Sequence, residues 1–311
     1  MPSLKSLVGK LPDDVRLTLA DVGSAGGLKP RWKPLAGRLR GLLFDPRDDA
    51  GPAVDIGHNR IYPVALGEGP GTRELRVTAI PILSSLLEPT EELLTFYRKK
   101  GVQGRVERRV SVPIEALDTL LEADGLDVDA MKIDTQGTEL EILKGAARAL
   151  ERSVLTVEAE MSFFERYVGQ VVAPELLAWM HARGYRLIEI YRPKRYIRLN
   201  SFDVGNVGIG AGHRAGQLGH GDAIFMATDA LLERRWANQG PDIVRHQVLA
   251  LILLLSVYGK VDMAAAAFDT HRRHLDDAMQ EILAGWFKGW YRAEYRTRGW
   301  HAVVDYLARR T

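Results

Sequence analysis

The sequence predicts an α/β fold, a doubly wound and mostly parallel sheet with helices on both faces followed by an all-helical segment, and three observations carry that expectation. Apolar runs of strand length alternate with helix-length segments from Arg16 to Ala227. Two of those strands empty into polar turns, Asp21-Val22-Gly23-Ser24-Ala25-Gly26-Gly27 and Asp134-Thr135-Gln136-Gly137. From Leu231 the alternation stops and every segment has helical spacing. A chain of 311 residues has the length of about two domains, and the expected division is 1–230 and 231–311.

Composition narrows the function classes. With 46% hydrophobic and 26% charged residues the balance is that of a globular protein, and a net charge of +2 advertises no nucleic-acid or membrane partner, while leaving room for local basic patches. The absence of Cys removes a disulfide framework, a thiolate nucleophile, an iron–sulfur cluster and a Cys-ligated zinc, and suits a reducing compartment. Met1 to Lys10 lacks the apolar core of a secretory signal. The longest apolar run, Val248 to Val257, is short of the roughly 20 residues that span a bilayer, so a cytoplasmic protein with no membrane span is expected.

Along the chain, residues 3–10 read as a short helix and Arg16–Ala20 as the first strand. Pro30 and Pro34 suit only the first turn of a helix, which is expected from Trp32 to Arg40. Gly41–Phe44 is a continuous apolar strand ending in Asp45-Pro46. An acid there, in a doubly wound fold, bonds the ribose hydroxyls of a nucleoside lying over the first glycine turn; as a helix cap or turn residue it needs no ligand. Ile61–Leu66 is a third strand and Thr72–Ile80 an added hairpin or edge strand, with Ser84-Ser85-Leu86 in the connection after it.

Arg105–Val112 is a short strand backed by a helix at Ile114–Ala123; Val128–Ile133 is a strand followed by a helix at Leu140–Leu150. Val154–Ala159 carries Glu158 and Glu160 at its end, Pro174–Arg183 is a helix stopped by Gly184, and Tyr185–Tyr191 and Asp222–Met226 are the last strands. Arg192 to Gly221 reads as a long Gly- and Arg-rich loop, the length of a lid or binding loop. The tail reads as helices over Asp242–Tyr258, Met263–Leu275, Asp276–Arg296 and His301–Arg309. Trp236, Trp286, Trp290 and Trp300 lie in it, either as bundle core or as a docking surface for a partner or a second copy.

The block Met131-Lys132-Ile133-Asp134-Thr135-Gln136-Gly137-Thr138-Glu139-Leu140-Glu141-Ile142-Leu143-Lys144-Gly145-Ala146 is similar to the K-I-D-x-[EQ]-G-x-E-x-x-x-L-x-G pattern of FkbM-type S-adenosylmethionine-dependent methyltransferases. Asp21-Val22-Gly23, Asp45-Pro46, Val64-Ala65-Leu66, Ser84-Ser85-Leu86 and Val157-Glu158-Ala159-Glu160 with Phe163 and Tyr167 fall where that family has its other motifs. The resemblance spans Thr18 to Ala227. Two departures stand out: Ser24-Ala25 replaces the family's Ala-Asn in the first turn, and Asp45 replaces its usual Glu.

The resemblance implies a Rossmann-like class I methyltransferase sheet with S-adenosylmethionine as cofactor. Asp21, Gly23, Ser24 and Gly26 would hold its methionine part, Asp45 the ribose diol and Ala65 with Leu66 the adenine, with Ser85 nearby. Methyl transfer from a sulfonium is an in-line displacement, so the protein must align an acceptor and, for a hydroxyl, take its proton. Asp134, Gln136 and Glu160 are the acid–base candidates, and His220 beside Asp222 is an alternative base. Glu139 and Glu141 read as first-turn acids favoured by the helix dipole.

No metal ligands are expected: His271-Arg272-Arg273-His274 has ligand-pair spacing but sits in a charged, solvated-looking helix, and His213 and His220 in the long loop are better placed for a role at the site, with an ordinary loop histidine as the alternative for His220. Arg192, Lys194, Arg195 and Arg198 form a basic rim that suits an anionic acceptor, and equally a charged loop with no partner. The implied activity is O-methylation of a sugar, glycan or natural-product hydroxyl. Its rivals are a nicotinamide dehydrogenase, which the missing third glycine and Pro30 disfavour, and a non-catalytic scaffold whose helical tail docks a partner.

Overall fold

The structure, a computed structural model, describes residues 2–24, 28–47, 58–205 and 215–308, the stretch 293–308 by its backbone alone. It divides into two compact units, Thr18–Leu28 with Arg40–Asn238, and Met1–Leu17 with Lys29–Leu39 and Gln239–Thr311.

Ten strands are described: β1 Leu17–Val22, β2 Leu39–Phe44, β3 His58–Tyr62, β4 Ala65–Leu66, β5 Gly71–Thr78, β6 Val106–Glu115, β7 Ala130–Ile133, β8 Thr156–Ser162, β9 Tyr185–Tyr196 and β10 Gln217–Ala227. Seven form one sheet in the order β3-β2-β1-β7-β8-β10-β9, and the other three a small sheet β4-β6-β5. In the large sheet β1 and β7, β7 and β8, and β2 and β3 pair in parallel, while β10 runs antiparallel to both β8 and β9. The α/β reading therefore holds. Every residue of β7 and β8 is buried, as parallel strands covered on both faces require.

From β1 the chain moves outward through β2 to β3, then returns to β7 on the other flank of β1. Open α/β sheets bind ligands where the strand order reverses, outside the carboxyl ends of the strands. Here that point lies between Val22 and Ile133, which are paired in register.

Several elements differ from the sequence reading, each for a local reason. The helix expected from Trp32 to Arg40 is a 3₁₀ helix over Pro30–Leu35, because Pro34 inside it has no N–H to give. The strand expected over Ile61–Leu66 is cut at Pro63: β3 stays in the large sheet and β4 joins the small one, whose core is Ala65, Leu75, Val77, Leu86, Val112 and Ile114. The long loop expected from Arg192 to Gly221 is shorter at both ends, since β9 runs on to Tyr196 and β10 begins at Gln217, the two pairing with each other. Residues 206–214, with His213, lie outside the described residues.

In the other unit the Leu4–Val8 helix starts with a reciprocal Ser3–Ser6 capping box. Helix Pro241–Val257 is buried along most of its length, and the two last expected helices are one continuous helix, Asp277–Ala308. Trp286 is buried and donates to the Ser3 carbonyl at 3.2 Å, and Trp290 meets its ring edge-on, so these two serve as core. His271, read as part of a solvated face, is buried. Among the described residues no helix is long and apolar enough to cross a membrane, and no group of three or more His, Cys, Asp or Glu is placed to hold a metal ion.

The helix expected over Leu140–Leu150 breaks in two, Glu139–Lys144 and Ala147–Arg152, at Gly145. A Cβ at Gly145 would stand 1.9 Å from the Gly67 carbonyl oxygen, so the close backbone approach needs glycine on steric grounds alone. Gly145→Ala should destabilise the protein by about 1–3 kcal/mol, read as a lower denaturant midpoint with an unchanged slope. A neutral effect would mean that the two backbones separate without cost.

Candidate active site

The first polar turn is fixed by its neighbours. Gly23 N–H donates to the Phe44 carbonyl at 2.9 Å, and Asp134 N–H donates to the Val22 carbonyl at 3.0 Å, so the ends of β1, β2 and β7 are tied side by side. Gly23 has φ +74, and a Cβ there would sit 2.2 Å from the Asp134 carbonyl oxygen. Only glycine meets both conditions. Ser24 is half-buried beside it, and Gly26 lies outside the described residues.

Asp21 is buried on β1 opposite Lys132 on β7, whose ammonium lies 3.1 Å from Asp21 Oδ1, donates to the Gly23 carbonyl at 3.3 Å and stands 3.9 Å from Asp134 Oδ2. Burial works against the Lys132 charge, but Asp21 and then Asp134 outweigh it and hold the amine above its ordinary range. Asp45 is buried at the end of β2 and clamped by Arg47: Oδ1 accepts from the Arg47 backbone N–H (3.1 Å) and Nε (2.9 Å), and Oδ2 from Nη2 (2.7 Å). Ala65 packs in the small sheet.

The second turn is the hub. Gln136 takes a left-handed backbone, φ 60, and its carbonyl accepts the Ser85 hydroxyl at 2.7 Å. Its Nε2 donates to Asp134 Oδ1 (3.0 Å) and Glu160 Oε2 (3.1 Å), while its Oε1 accepts from Arg166 Nη1 (3.4 Å) and the Tyr167 hydroxyl (3.3 Å). Glu139 is no solvated first-turn acid. It is buried, and accepts the backbone N–H groups of Thr135 (3.1 Å) and Gly137 (3.0 Å), bracing the same turn. Burial, then the nearby Glu160, pushes its carboxyl up to about 7.

Arg166, fully buried, reaches Ser162 Oγ through Nε at 2.8 Å, the Tyr196 hydroxyl through Nη1 at 3.2 Å, and Glu160 through Nη2. The Tyr196 hydroxyl lies 3.0 Å from His220 Nδ1, and His220 Nε2 lies 3.4 Å from Glu160 Oε2. The facing Glu160 carboxylate oxygen assigns the ring proton to Nε2, and Nδ1 then accepts the Tyr196 hydroxyl proton. Burial holds the Glu160 carboxyl above its ordinary range despite Arg166.

Four of the sequence-derived residues thus meet in one chain of contacts: Asp134, Gln136, Glu160 and His220. Asp134 is the most exposed of its carboxylates, its side chain 34% accessible against 6% for Glu160. Sequence reasoning missed Lys132 as a partner of Asp21, and also Arg47, Arg166 and Tyr196. Arg47 is two residues from the acid it clamps and was within reach of local reading; the others come together only through the sheet.

These features define a doubly wound α/β protein with a polar site at the switch point. Residues 44–187 match the family model described as the methyltransferase FkbM domain, so the likeness read from the sequence is borne out over that span. Two solved structures are similar: the methyltransferase FkbM from Methylobacillus flagellatus, at 15% identity and a TM-score of 0.33, over 72% of this chain and 48% of that one; and Streptococcus pneumoniae Sp1610, a proposed tRNA methyltransferase, at 11% identity and a TM-score of 0.32, over 90% and 97%. The chain thus spans about half the length of the first. No curated protein matches it.

Burial, followed by Arg166 and Lys100, lowers the His220 pKa from 6.5 to about 3. The folded state therefore refuses a proton that the unfolded chain accepts, so His220 takes stability away as pH falls from 6.5 towards 3, at about 1.4 kcal/mol per pH unit. By NMR its ring carbon shifts should stay those of a neutral imidazole from about pH 8 to about pH 5. A titration centred near 6.5 would contradict the burial described here.

Proposed function

We propose that the chain is an S-adenosylmethionine-dependent O-methyltransferase in which Asp134 takes the proton of an acceptor hydroxyl. The observation that carries the reading is the position of Asp134: it ends β7 at the switch point, beside the left-handed Gly23 turn, and is the most exposed carboxylate of a buried, cation-braced network.

The residues fit a nucleoside sulfonium. Gly23 keeps the backbone at the crevice free of a side chain, Ser24 adds a hydroxyl, and Asp45 offers a buried carboxylate for a ribose diol. Arg47 already bonds both Asp45 oxygens, so the diol shares or displaces the guanidinium. Ala65, with Leu66, flanks the adenine in this reading; β4 begins three residues after Tyr62, whose carbonyl accepts the Asp45 N–H at 3.2 Å. Ser85 acts through the Gln136 turn that it holds. The cofactor supplies an electrophilic methyl group. Gln136 orients Asp134, and Glu160 with Arg166 orients Gln136; His220, low in basicity, serves as a neutral hydrogen-bonding group.

The acceptor class, a sugar, glycan or natural-product hydroxyl, rests on the family likeness. The helical segment over 231–311 is assigned to assembly or to docking a partner.

Calorimetry tests the cofactor: S-adenosylmethionine and S-adenosylhomocysteine should bind and NAD should not. No heat with either sulfur nucleoside would overturn the proposal. Asp45→Ala should weaken binding by about 1–3 kcal/mol through loss of a buried acceptor, whereas Asp134→Asn should keep the affinity and lose turnover in a screen of hydroxylated acceptors.

A further inference from the structure

Two segments beside the site carry a charge that the rest of the chain does not. Residues 96–109 and 192–205 contain ten Lys or Arg against two acids, Glu107 and Asp203, in a chain whose total is +2. Counting Glu91 and Glu92 of the adjoining helix, and Glu88, which holds Arg109 at 2.9 Å, still leaves an excess of five positive charges. The segments lie against each other: Leu199 N–H donates to the Phe96 carbonyl at 2.8 Å, Arg98 N–H to the Ile197 carbonyl at 2.9 Å, and the Arg98 guanidinium to the Asp203 carbonyl at 2.7 Å.

The same face exposes large apolar side chains among its cations. Phe96, Val102, Leu199, Phe202 and Val204 are between 47% and 85% accessible, and the Arg198 guanidinium sits 5.3 Å over the Phe96 ring. Cations around protruding aromatic and aliphatic groups are the composition of surfaces that lie in a membrane interface, where phosphate headgroups meet the charges and the acyl boundary takes the apolar tips. A soluble polyanion would satisfy the charges and leave Phe202, Leu199 and Val102 in water.

We propose that this face docks on an anionic lipid bilayer. It adjoins the site directly: Lys100 lies 4.6 Å over the ring of Tyr196, the residue that bonds Arg166 and His220. Under the methyl-transfer reading, on which this second step rests, the acceptor hydroxyl is one presented at headgroup level.

Flotation with vesicles tests the docking. The full chain should float with vesicles of equal parts phosphatidylglycerol and phosphatidylcholine, not with phosphatidylcholine alone, and salt should weaken the binding. Lys99→Gln and Lys194→Gln should each weaken it about fivefold. Leu199→Ser with Phe202→Ser should abolish it, and Ile243→Ser, an exposed apolar change in the other unit, should leave it intact. Equal binding to neutral vesicles, no binding to anionic ones, or indifference to the substitutions would overturn the proposal; retention on polyuridylate without vesicle binding would assign the face to a nucleic acid. Calorimetric binding of S-adenosylhomocysteine should be the same in all variants, so failure of the docking and failure of the cofactor reading register separately.

Discussion

A guanidinium buried as completely as that of Arg166 has to be bonded on every side, and much of the sheet edge is arranged to do so. Removing one partner of a buried charge costs about 3–5 kcal/mol, because the remaining charge is left without compensation. Ser162 and Glu160 come from β8, Tyr196 from β9 and Gln136 from the turn after β7. One cation therefore fixes the relative positions of three strand ends. The antiparallel placement of β10 completes the set, since only that direction brings His220, near its start, level with Ser162 at the end of β8.

A second cation, Lys132, does for the first turn what Arg166 does for the second. It lies between Asp21 and Asp134, so the two polar turns share a carboxylate. Asp134 is the junction: Lys132 draws on one oxygen and the Gln136 amide on the other. A proton arriving at Asp134 is felt by both halves of the site.

The sequence was most legible where a residue's surroundings are set by its own segment. β7 and β8 are buried from end to end, and the apolar residues that frame their polar ones, Met131 and Ile133 or Val157 and Ala159, are read directly as strands. The acids at strand ends were legible for the same reason. What escaped was set by distant parts of the chain. Gly145 breaks a helix because Gly67 touches it, 78 positions away in sequence, and the helical periodicity on either side gives no sign of that contact. Glu139 looks like a dipole-stabilising surface acid, yet its carboxylate is turned inward onto the turn amides. Arg166 and Tyr196 carry no local pattern at all.

The side-chain amide at position 136 has its two ends assigned by opposite partners: its nitrogen faces the carboxylates of Asp134 and Glu160, and its oxygen faces Arg166 and Tyr167. The FkbM-type pattern accepts either Gln or Glu there. In this chain a Glu would set a third carboxylate against those of Asp134 and Glu160, with the Arg166 guanidinium and the more distant Lys132 ammonium to answer all three. Position 136 is therefore not free to drift alone: among relatives of this chain, a Glu at that place should travel with a neutral residue in place of Glu160 or with an added cation, so that the identity of one turn residue records the charge state of the whole network.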